Sequence, residues 1–153
     1  MTDASFKDQS FNKRFAKMGD QAESKCRAWL DSQNVGYVDY GLDRPPIRMD
    51  MLSARIRHTP DILTSRGLIE CKGFGRDQIA KIKFEDINCL SWWNDCFPVS
   101  IFFYDSANDR HTCVSFETVR DKMLADERVT KGVFPDANPK PYWAIPAAVI
   151  WGE

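Results

Sequence analysis

Two short segments separated by a turn constrain the fold of this chain more than any other feature. Residues 61–63 and 68–72 have the composition of β-strands, and Ser65-Arg66-Gly67 between them has the composition of a turn. An antiparallel hairpin closed by a loop of two or four residues places Asp61 directly opposite Glu70. A loop of odd length would move Asp61 to the other face of the hairpin.

One face of the second strand is predicted to be polar. Side chains alternate across a strand, so Glu70 and Lys72 share a face. Ile69 and Cys71 point to the other face, toward a core. Carboxylates directly opposite each other repel, so Asp61 and Glu70 need a cation between them. Mg²⁺ suits this pair because it binds one or two carboxylates together with water and phosphate oxygens, and Mn²⁺ is expected to substitute. In the alternative interpretation, Glu70 and Lys72 merely pair in solvent on a surface hairpin.

The composition describes one globular domain rather than a disordered or membrane-spanning chain. Of the 153 residues, 43% are hydrophobic and 28% are charged, and a chain of this size buries roughly two thirds of its unfolded surface. No apolar run approaches the length of a membrane span, and residues 1–10 lack the apolar core of a signal peptide. We therefore expect a cytoplasmic protein without membrane contact. Residues 1–16 are predicted to form an N-terminal arm, or an early start of the first helix, and residues 17–153 the folded domain.

Positive charge is concentrated in the half of the chain that carries the hairpin. Residues 1–83 contain 15 lysine and arginine residues against 11 aspartate and glutamate residues, whereas residues 84–153 contain 6 against 11. A polyanionic substrate would need positive potential near the polar cluster. The alternative is chance unevenness on a surface whose formal net charge is only −1.

The cysteines indicate neither a disulfide framework nor a zinc site. There are five, an odd number, and no pair has the C-x₂-C spacing. We expect reduced and mainly buried thiols, with Cys71 facing the core behind the polar cluster.

The remaining pattern predicts a small α/β domain with a mixed sheet between helices. The almost continuous apolar run of residues 99–104 is typical of a central strand buried on both faces. The other predicted elements are helix 17–33, strand 35–40, a loop over 41–50, strand 51–58, helix 77–93, strand 112–116, helix 117–126, a loop containing Gly132, Pro135, Pro139 and Pro141, and a strand or short helix over 142–151.

The hairpin carries a pattern that resembles the active-site motif of the PD-(D/E)XK nuclease superfamily, namely Pro60-Asp61, eight intervening residues and Glu70-Cys71-Lys72. Residues 58–63, HTPDIL, and 67–73, GLIECKG, are similar to the active-site stretch of the phage endonuclease I branch, the Holliday-junction resolvases. By element order the resemblance extends over roughly residues 15–105. It implies a restriction-endonuclease-like core, in which a mixed central β-sheet is flanked by helices.

The resemblance also implies a role for each residue of the cluster. Asp61 and Glu70 would be catalytic metal ligands, helped by the backbone carbonyl of Cys71. Lys72 would be the catalytic residue that orients or activates water.

Glu23 matches the glutamate on the first helix of that family. The resemblance implies that it is a catalytic residue and an outer or second-metal ligand. Glu23 could instead pair in solvent with Arg27, which follows four residues later on the same predicted helix.

Four basic residues near the cluster are candidate contacts to nucleic acid. Lys81 and Lys83 open the predicted second helix, and Arg76 lies just before it. His58 lies three residues before Asp61, so alternation places it on the other face of the strand. Each of these side chains could equally be a solvated or structural residue.

Together these residues imply, through the resemblance, a divalent-metal-dependent DNA endonuclease that hydrolyses phosphodiester bonds, with the Holliday junction as its substrate. Such a junction has two-fold symmetry, which a homodimer would match. The dimer contact is expected on the N-terminal arm or on the apolar tail, residues 142–151. A phage-encoded protein that acts in the host cytoplasm fits this branch of the family.

Two alternatives remain open from the sequence. The first is a general DNA nuclease, since the same cluster serves exonucleases, nickases and restriction-type enzymes. An exonuclease of the RecB type would carry a Gln-x-x-x-Tyr motif, but the fourth residue after Gln78 is Ile82. The second alternative is a catalytically silent nuclease-fold module that binds nucleic acid or protein, and the intact acidic pair with Lys72 argues against it.

Overall fold

The structure, a computed structural model, describes residues 11–41, 51–135 and 138–153. Most of the predicted loop over 41–50 and residues 1–10 of the predicted arm lie outside the described residues. The elements in chain order are α1 (Phe11–Ser32), β1 (Tyr37–Asp39), α2 (Ala54–Arg57), β2 (Ile62–Thr64), β3 (Gly67–Gly73), β4 (Ile79–Lys83), α3 (Phe84–Cys96), β5 (Val99–Asp105), β6 (Arg110–Ser115), α4 (Phe116–Ala125), β7 (Thr130–Val133), β8 (Pro141–Pro146) and α5 (Ala147–Trp151).

A mixed sheet of five strands forms the centre of the molecule, in the order β1-β2-β3-β5-β6. β3 and β5 run parallel, and the other neighbours are antiparallel. A parallel pair cannot be joined by a tight turn, and here β4 and α3 make the connection. The predicted α/β class with a mixed sheet flanked by helices is thus confirmed.

Both faces of this sheet are covered. On one face, α1 contributes Ala22, Cys26 and Leu30 to a core that also contains Ile69 and Phe102. The opposite face carries the larger core, built with α3, α4, α5 and the second sheet. β5 supplies side chains to both cores, because Ile101 and Phe103 lie in one and Phe102 and Tyr104 in the other. The prediction of a strand buried on both faces is confirmed.

The second sheet was not predicted from the sequence. Its three strands have the order β4-β8-β7. The predicted helix over 77–93 is therefore wrong in its first half, since residues 79–83 form β4 and the helix begins at Phe84. Ala80 and Ile82 are fully buried while their neighbours are not, which is the alternation of a strand. Lys81 and Lys83 consequently lie on a strand and do not open a helix.

Two further predicted elements are also wrong. Residues 51–58 were expected to be a strand, but they contain α2, which begins after Ser53 because its side chain accepts a hydrogen bond from the Ile56 N–H at 3.5 Å. The predicted Gly/Pro loop contains β7, which pairs with β8.

Much of the apolar tail is buried within the chain's own fold. It forms β8 and α5, and Ile145, Val149 and Ile150 are at most 5% exposed within the chain's own core. Tyr142, Trp143 and Trp151 are partly exposed, so a dimer contact on this tail stays a prediction.

At the other end, α1 begins at Phe11, so residues 11–16 of the predicted arm belong to the first helix. In the part of the chain that the structure describes, no helix has the length and apolar character needed to cross a membrane.

Candidate active site

The β2–β3 hairpin has the register that the sequence predicts. Ile62 lies opposite Ile69 and Thr64 opposite Gly67, so the loop has two residues and Asp61 lies opposite Glu70. At the start of β3 only glycine fits, because a Cβ on Gly67 would lie 2.4 Å from the Pro98 carbonyl oxygen and the φ is +146°.

Alternation along β3 separates an apolar and a polar face as expected. Ile69 and Cys71 are 6% and 5% exposed and pack against α1. Glu70 and Lys72 point to the opposite side, where α3 lies, and their side chains are 13% and 17% exposed. Cys71 therefore faces the core, as predicted, and all five cysteines are free thiols.

Asp61 is fixed from two directions. Its Oδ2 accepts a hydrogen bond from the backbone N–H of Cys71 at 2.7 Å, across the hairpin from its own strand. Its backbone carbonyl accepts hydrogen bonds from the N–H groups of Tyr40 and Gly41 at 2.8 and 3.0 Å. The carboxylate is thus held beside Glu70 by the backbone rather than by a flexible contact.

Lys72 connects the hairpin with α3. Its Nζ lies 2.6 Å from Glu70 Oε1 and 3.7 Å from Asp86 Oδ2. Asp86, in the first turn of α3, also contacts His58 Nδ1 at 2.8 Å, and His58 Nε2 lies 3.3 Å from Glu85 Oε2. The sequence did not predict Asp86 as a site residue, since only the packing of α3 against the sheet brings it to Lys72.

The charges of the cluster are not balanced. Burial raises the pKa of Asp61 and of Glu70, and the charge of Asp61 raises that of Glu70 further. Burial also disfavours the charged form of Lys72, but its acidic neighbours outweigh burial and raise its pKa. Burial would raise the pKa of Asp86, yet Lys72 and His58 overcome it and lower the pKa to about 2. The hydrogen bond to Asp86 raises the pKa of His58. The charged forms of Asp61 and Glu70 are thus disfavoured, despite the ammonium group of Lys72 beside them.

Glu23 lies near this cluster but contacts a different partner. Its carboxylate is 3.5 Å from Arg27, which also binds Asp39 at 3.0 Å. Among the described residues no hydrogen bond joins Glu23 to Asp61 or Glu70. Its charge nevertheless contributes to the raised pKa of Asp61, and burial raises the pKa of Glu23 itself. The structure therefore contains the ion pair with Arg27, and the role of Glu23 as a metal ligand stays a prediction.

A cavity of about 200 Å³ opens in front of the cluster. It is lined by Gly41, Arg57, His58, Thr59, Asp61, Glu70, Lys72, Lys83, Asp86 and Leu90. Two of the candidate nucleic-acid contacts, His58 and Lys83, thus lie at the cluster. The prediction that His58 points away from Asp61 is wrong, because His58 ends α2 and is not part of a strand. Lys81 lies further along β4, and its Nζ is 3.7 Å from Asp77. Arg76 is exposed between β3 and β4.

The donor set suits a hard divalent cation. In residues 11–41, 51–135 and 138–153, no group of three or more His, Cys, Asp and Glu side chains is placed to hold a metal ion. Mg²⁺ requires fewer protein side chains, because one or two carboxylates with water and substrate oxygens complete its octahedral shell. Asp61, Glu70 and the Cys71 carbonyl supply only oxygen atoms, and the two facing carboxylates share one ammonium group, that of Lys72, which lies 2.6 Å from Glu70. These residues fit Mg²⁺ or Mn²⁺.

Comparisons with protein-family models, with curated proteins and with solved structures found no match to this chain. The geometry of the hairpin and its cavity therefore carries the functional interpretation.

Proposed function

We propose that this protein is a divalent-metal-dependent DNA endonuclease that hydrolyses phosphodiester bonds and acts on branched DNA, as a Holliday-junction resolvase with a restriction-endonuclease-like core. One observation carries the proposal. Asp61 and Glu70 face each other across a hairpin, and Lys72 shares the face of Glu70 beside an open cavity. Such a juxtaposition has no evident structural benefit, because facing carboxylates repel.

Asp61 and Glu70, with the Cys71 carbonyl, would hold the metal ion. A bound Mg²⁺ supplies a water of lowered pKa and neutralises charge at the scissile phosphate. Glu23, on α1, would serve as an outer ligand if its ion pair with Arg27 opened.

The chain's own residues would position the substrate. As an ammonium ion, Lys72 can donate hydrogen bonds to a phosphate oxygen or to the attacking water. Asp86, which is itself held by His58, lies 3.7 Å from Lys72 on the side of α3, so the ammonium group is placed before substrate arrives. Arg57 and Lys83 add positive charge to the cavity wall, where a phosphodiester would enter.

The choice of substrate rests on the resemblance of residues 58–73 to the resolvases. Because a four-way junction is resolved by paired cuts, we propose a homodimer with two equivalent sites. Light scattering at micromolar concentration, with and without a four-way junction, tests this part. A chain that stays monomeric on junction DNA would contradict the resolvase assignment and favour a nickase or exonuclease.

A cleavage assay on three substrates tests the function as a whole. Four-way junction, linear duplex and single-stranded DNA are incubated with MgCl₂, with MnCl₂ or with EDTA. We expect cleavage only with metal and fastest cleavage of the junction. Asp61→Asn and Glu70→Gln should abolish it, whereas Asp95→Asn, the same change at an exposed position of α3, should not.

Each departure from this result has a distinct meaning. Equal cleavage of duplex and junction would contradict the resolvase assignment and indicate a general nuclease. Metal-independent cleavage, or Glu70→Gln cutting at the wild-type rate, would contradict the metal site. Binding of DNA without cleavage would make the chain a silent nuclease-fold module.

A further inference from the structure

The outer face of the three-stranded sheet carries lysines where its inner face carries core residues. Residues directly opposite each other in a sheet share a face. Lys81 is opposite Ala144, which is opposite Thr130. In the next row of that face, Lys83 is opposite Tyr142, which is opposite Gly132. Ala80, Ile82 and Ile145 lie on the other face and are fully buried. We call Lys81, Lys83 and Tyr142 the lysine face.

The lysine face has low relief. A Cβ on Gly132 would lie only 2.5 Å from Cζ of Tyr142, so the tyrosine ring covers the backbone of β7 at this point. The other position beside Tyr142 on β8 in this face is the small residue Ala144. A broad ligand can therefore approach the two lysines without meeting a tall side chain from β7 or β8.

The lysine face is continuous with the cavity. Lys83 lines the cavity together with Asp61 and Glu70. Within the described part of the chain, the Lys83 side chain makes no hydrogen bond or ion pair, although its charge helps to lower the pKa of Asp86, so its ammonium group can bind a ligand. Lys81 lies 3.7 Å from the exposed Asp77 and 5.6 Å above the Tyr142 ring. An exposed pair of this kind contributes little and is easily exchanged for a phosphate.

We propose that the lysine face binds the sugar-phosphate backbone of DNA at the point where the DNA strand leaves the cavity. The proposal rests on the proposed function, since it takes the scissile phosphate to lie at Asp61 and Glu70. Alternate residues of a strand are about 6.6 Å apart, which is close to the separation of consecutive phosphates on one DNA strand. Lys83 would bind the phosphate nearest the cavity and Lys81 the next one.

The salt dependence of DNA binding tests this contact directly. A fluorescent four-way junction is titrated by anisotropy with Ca²⁺ in place of Mg²⁺, over about 50 to 200 mM KCl. The double variant Lys81→Gln/Lys83→Gln should bind about tenfold more weakly at the lowest salt concentration. Its slope of log K against log salt should be shallower by about 1.8, or about 0.9 for each lost phosphate contact.

Two further variants keep the result interpretable. Lys81→Gln lies outside the cavity and should reduce the slope by about 0.9 without changing the hairpin cluster. Lys25→Gln makes the same change on α1, which packs on the other face of the five-stranded sheet, and should leave the slope as in wild type. Thermal unfolding of each variant confirms that it is folded.

The outcomes separate this inference from the proposed function. If wild type cleaves DNA but the double variant keeps the wild-type slope, the lysine face is wrong and the nuclease stands. If wild type binds without cleaving in Mg²⁺, the nuclease is wrong and the slopes alone decide on the lysine face. A wild-type protein that binds no DNA overturns both. The double variant could also lose binding to an acidic peptide while it keeps wild-type binding to DNA. That result would likewise contradict the contact with the DNA backbone.

Discussion

Two buried carboxylate clusters lie on the neighbouring strands β3 and β5, and they differ in how their charge is compensated. Asp105, at the end of β5, is fully buried. It accepts hydrogen bonds from Gln78 at 3.0 Å, Asn108 at 2.7 Å and Arg110 at 3.0 Å, and from the Ala107 N–H at 3.2 Å. Burial would raise its pKa, but these hydrogen bonds outweigh burial and lower it.

The hairpin cluster has the opposite balance. Asp61, Glu70 and Asp86 share Lys72 as their nearest ammonium group, and burial raises the pKa of Asp61 and Glu70. The charge of Asp105 is thus compensated by hydrogen bonds from the chain itself, and these hydrogen bonds connect the segments around it. The raised pKa values of the hairpin carboxylates, beside an open cavity, make them the candidate functional site. We therefore expect changes at Asp105 to affect stability and changes at the hairpin to affect activity.

Among changes that leave both carboxylates of the proposed metal site in place, the largest effect should come from removing the cation of the hairpin cluster. In Lys72→Ala we expect DNA cleavage to slow by about 10²- to 10³-fold, the usual loss for one preorganised donor at a reacting centre. DNA binding should weaken only modestly, because one phosphate contact is a small part of an electrostatic interface. Single-turnover cleavage and binding anisotropy measure the two effects. Equal losses in cleavage rate and in DNA binding would mean that Lys72 only binds the substrate and does not take part in the reaction.

The next largest effect should appear at the other cluster, in stability. Asp105→Asn puts an amide where several donors converge, so we expect the free energy of unfolding to fall by about 2–3 kcal/mol. Urea denaturation measures it, with Asp95→Asn at an exposed position of α3 as the matched control. The folded fraction should cleave DNA at the wild-type rate. A stable but inactive Asp105→Asn would reverse the assignment of the two clusters.

Low pH should reduce the difference in unfolding free energy between wild type and Asp105→Asn. The pKa of Asp105 is lower in the folded protein than its ordinary value of 3.8, so its contribution is complete above that value and is lost as pH falls through the folded pKa. The gap in unfolding free energy between wild type and Asp105→Asn should therefore narrow between about pH 5 and pH 2. Urea titrations at several pH values would show it, and a constant gap would mean that Asp105 is not ionised in the folded state.

The smallest change in stability is expected at the hairpin. In Glu70→Gln the free energy of unfolding should stay the same or rise by about 1 kcal/mol, because burial and the charge of Asp61 outweigh Lys72 and disfavour the Glu70 carboxylate, and Lys72 keeps Asp86 as a partner. Cleavage should nevertheless be lost. A fall in unfolding free energy as large as that of Asp105→Asn would show that Glu70 is part of the structural framework.

The sequence predicts the hairpin well because its geometry is local. Two residues of turn composition between Thr64 and Gly67 set the register, and alternation then decides which side chains of β3 face α1. Glu70 and Lys72 could thus be placed together without knowledge of any distant segment.

The parts that could not be predicted depend on distant partners. Ile79 and Ile82 are three residues apart, which is the spacing of one helical face, and only pairing with β8 makes this segment β4. Asp86 is an ordinary acidic residue in a first helical turn until α3 packs beside Lys72. Lys83 likewise reaches the cavity only because β4 belongs to the second sheet, which the sequence did not predict.

The stabilisation of the folded protein by Mg²⁺ tests the central claim, that Asp61 and Glu70 form a divalent-metal site, without any assumption about the substrate. Thermal unfolding is followed with increasing MgCl₂. At about ten times the dissociation constant, wild type should gain about 1.4 kcal/mol. Asp105→Asn should gain the same increment from a lower starting point, and Glu70→Gln should gain none. An equal gain in Glu70→Gln and wild type would contradict the account, because the ion would then bind elsewhere.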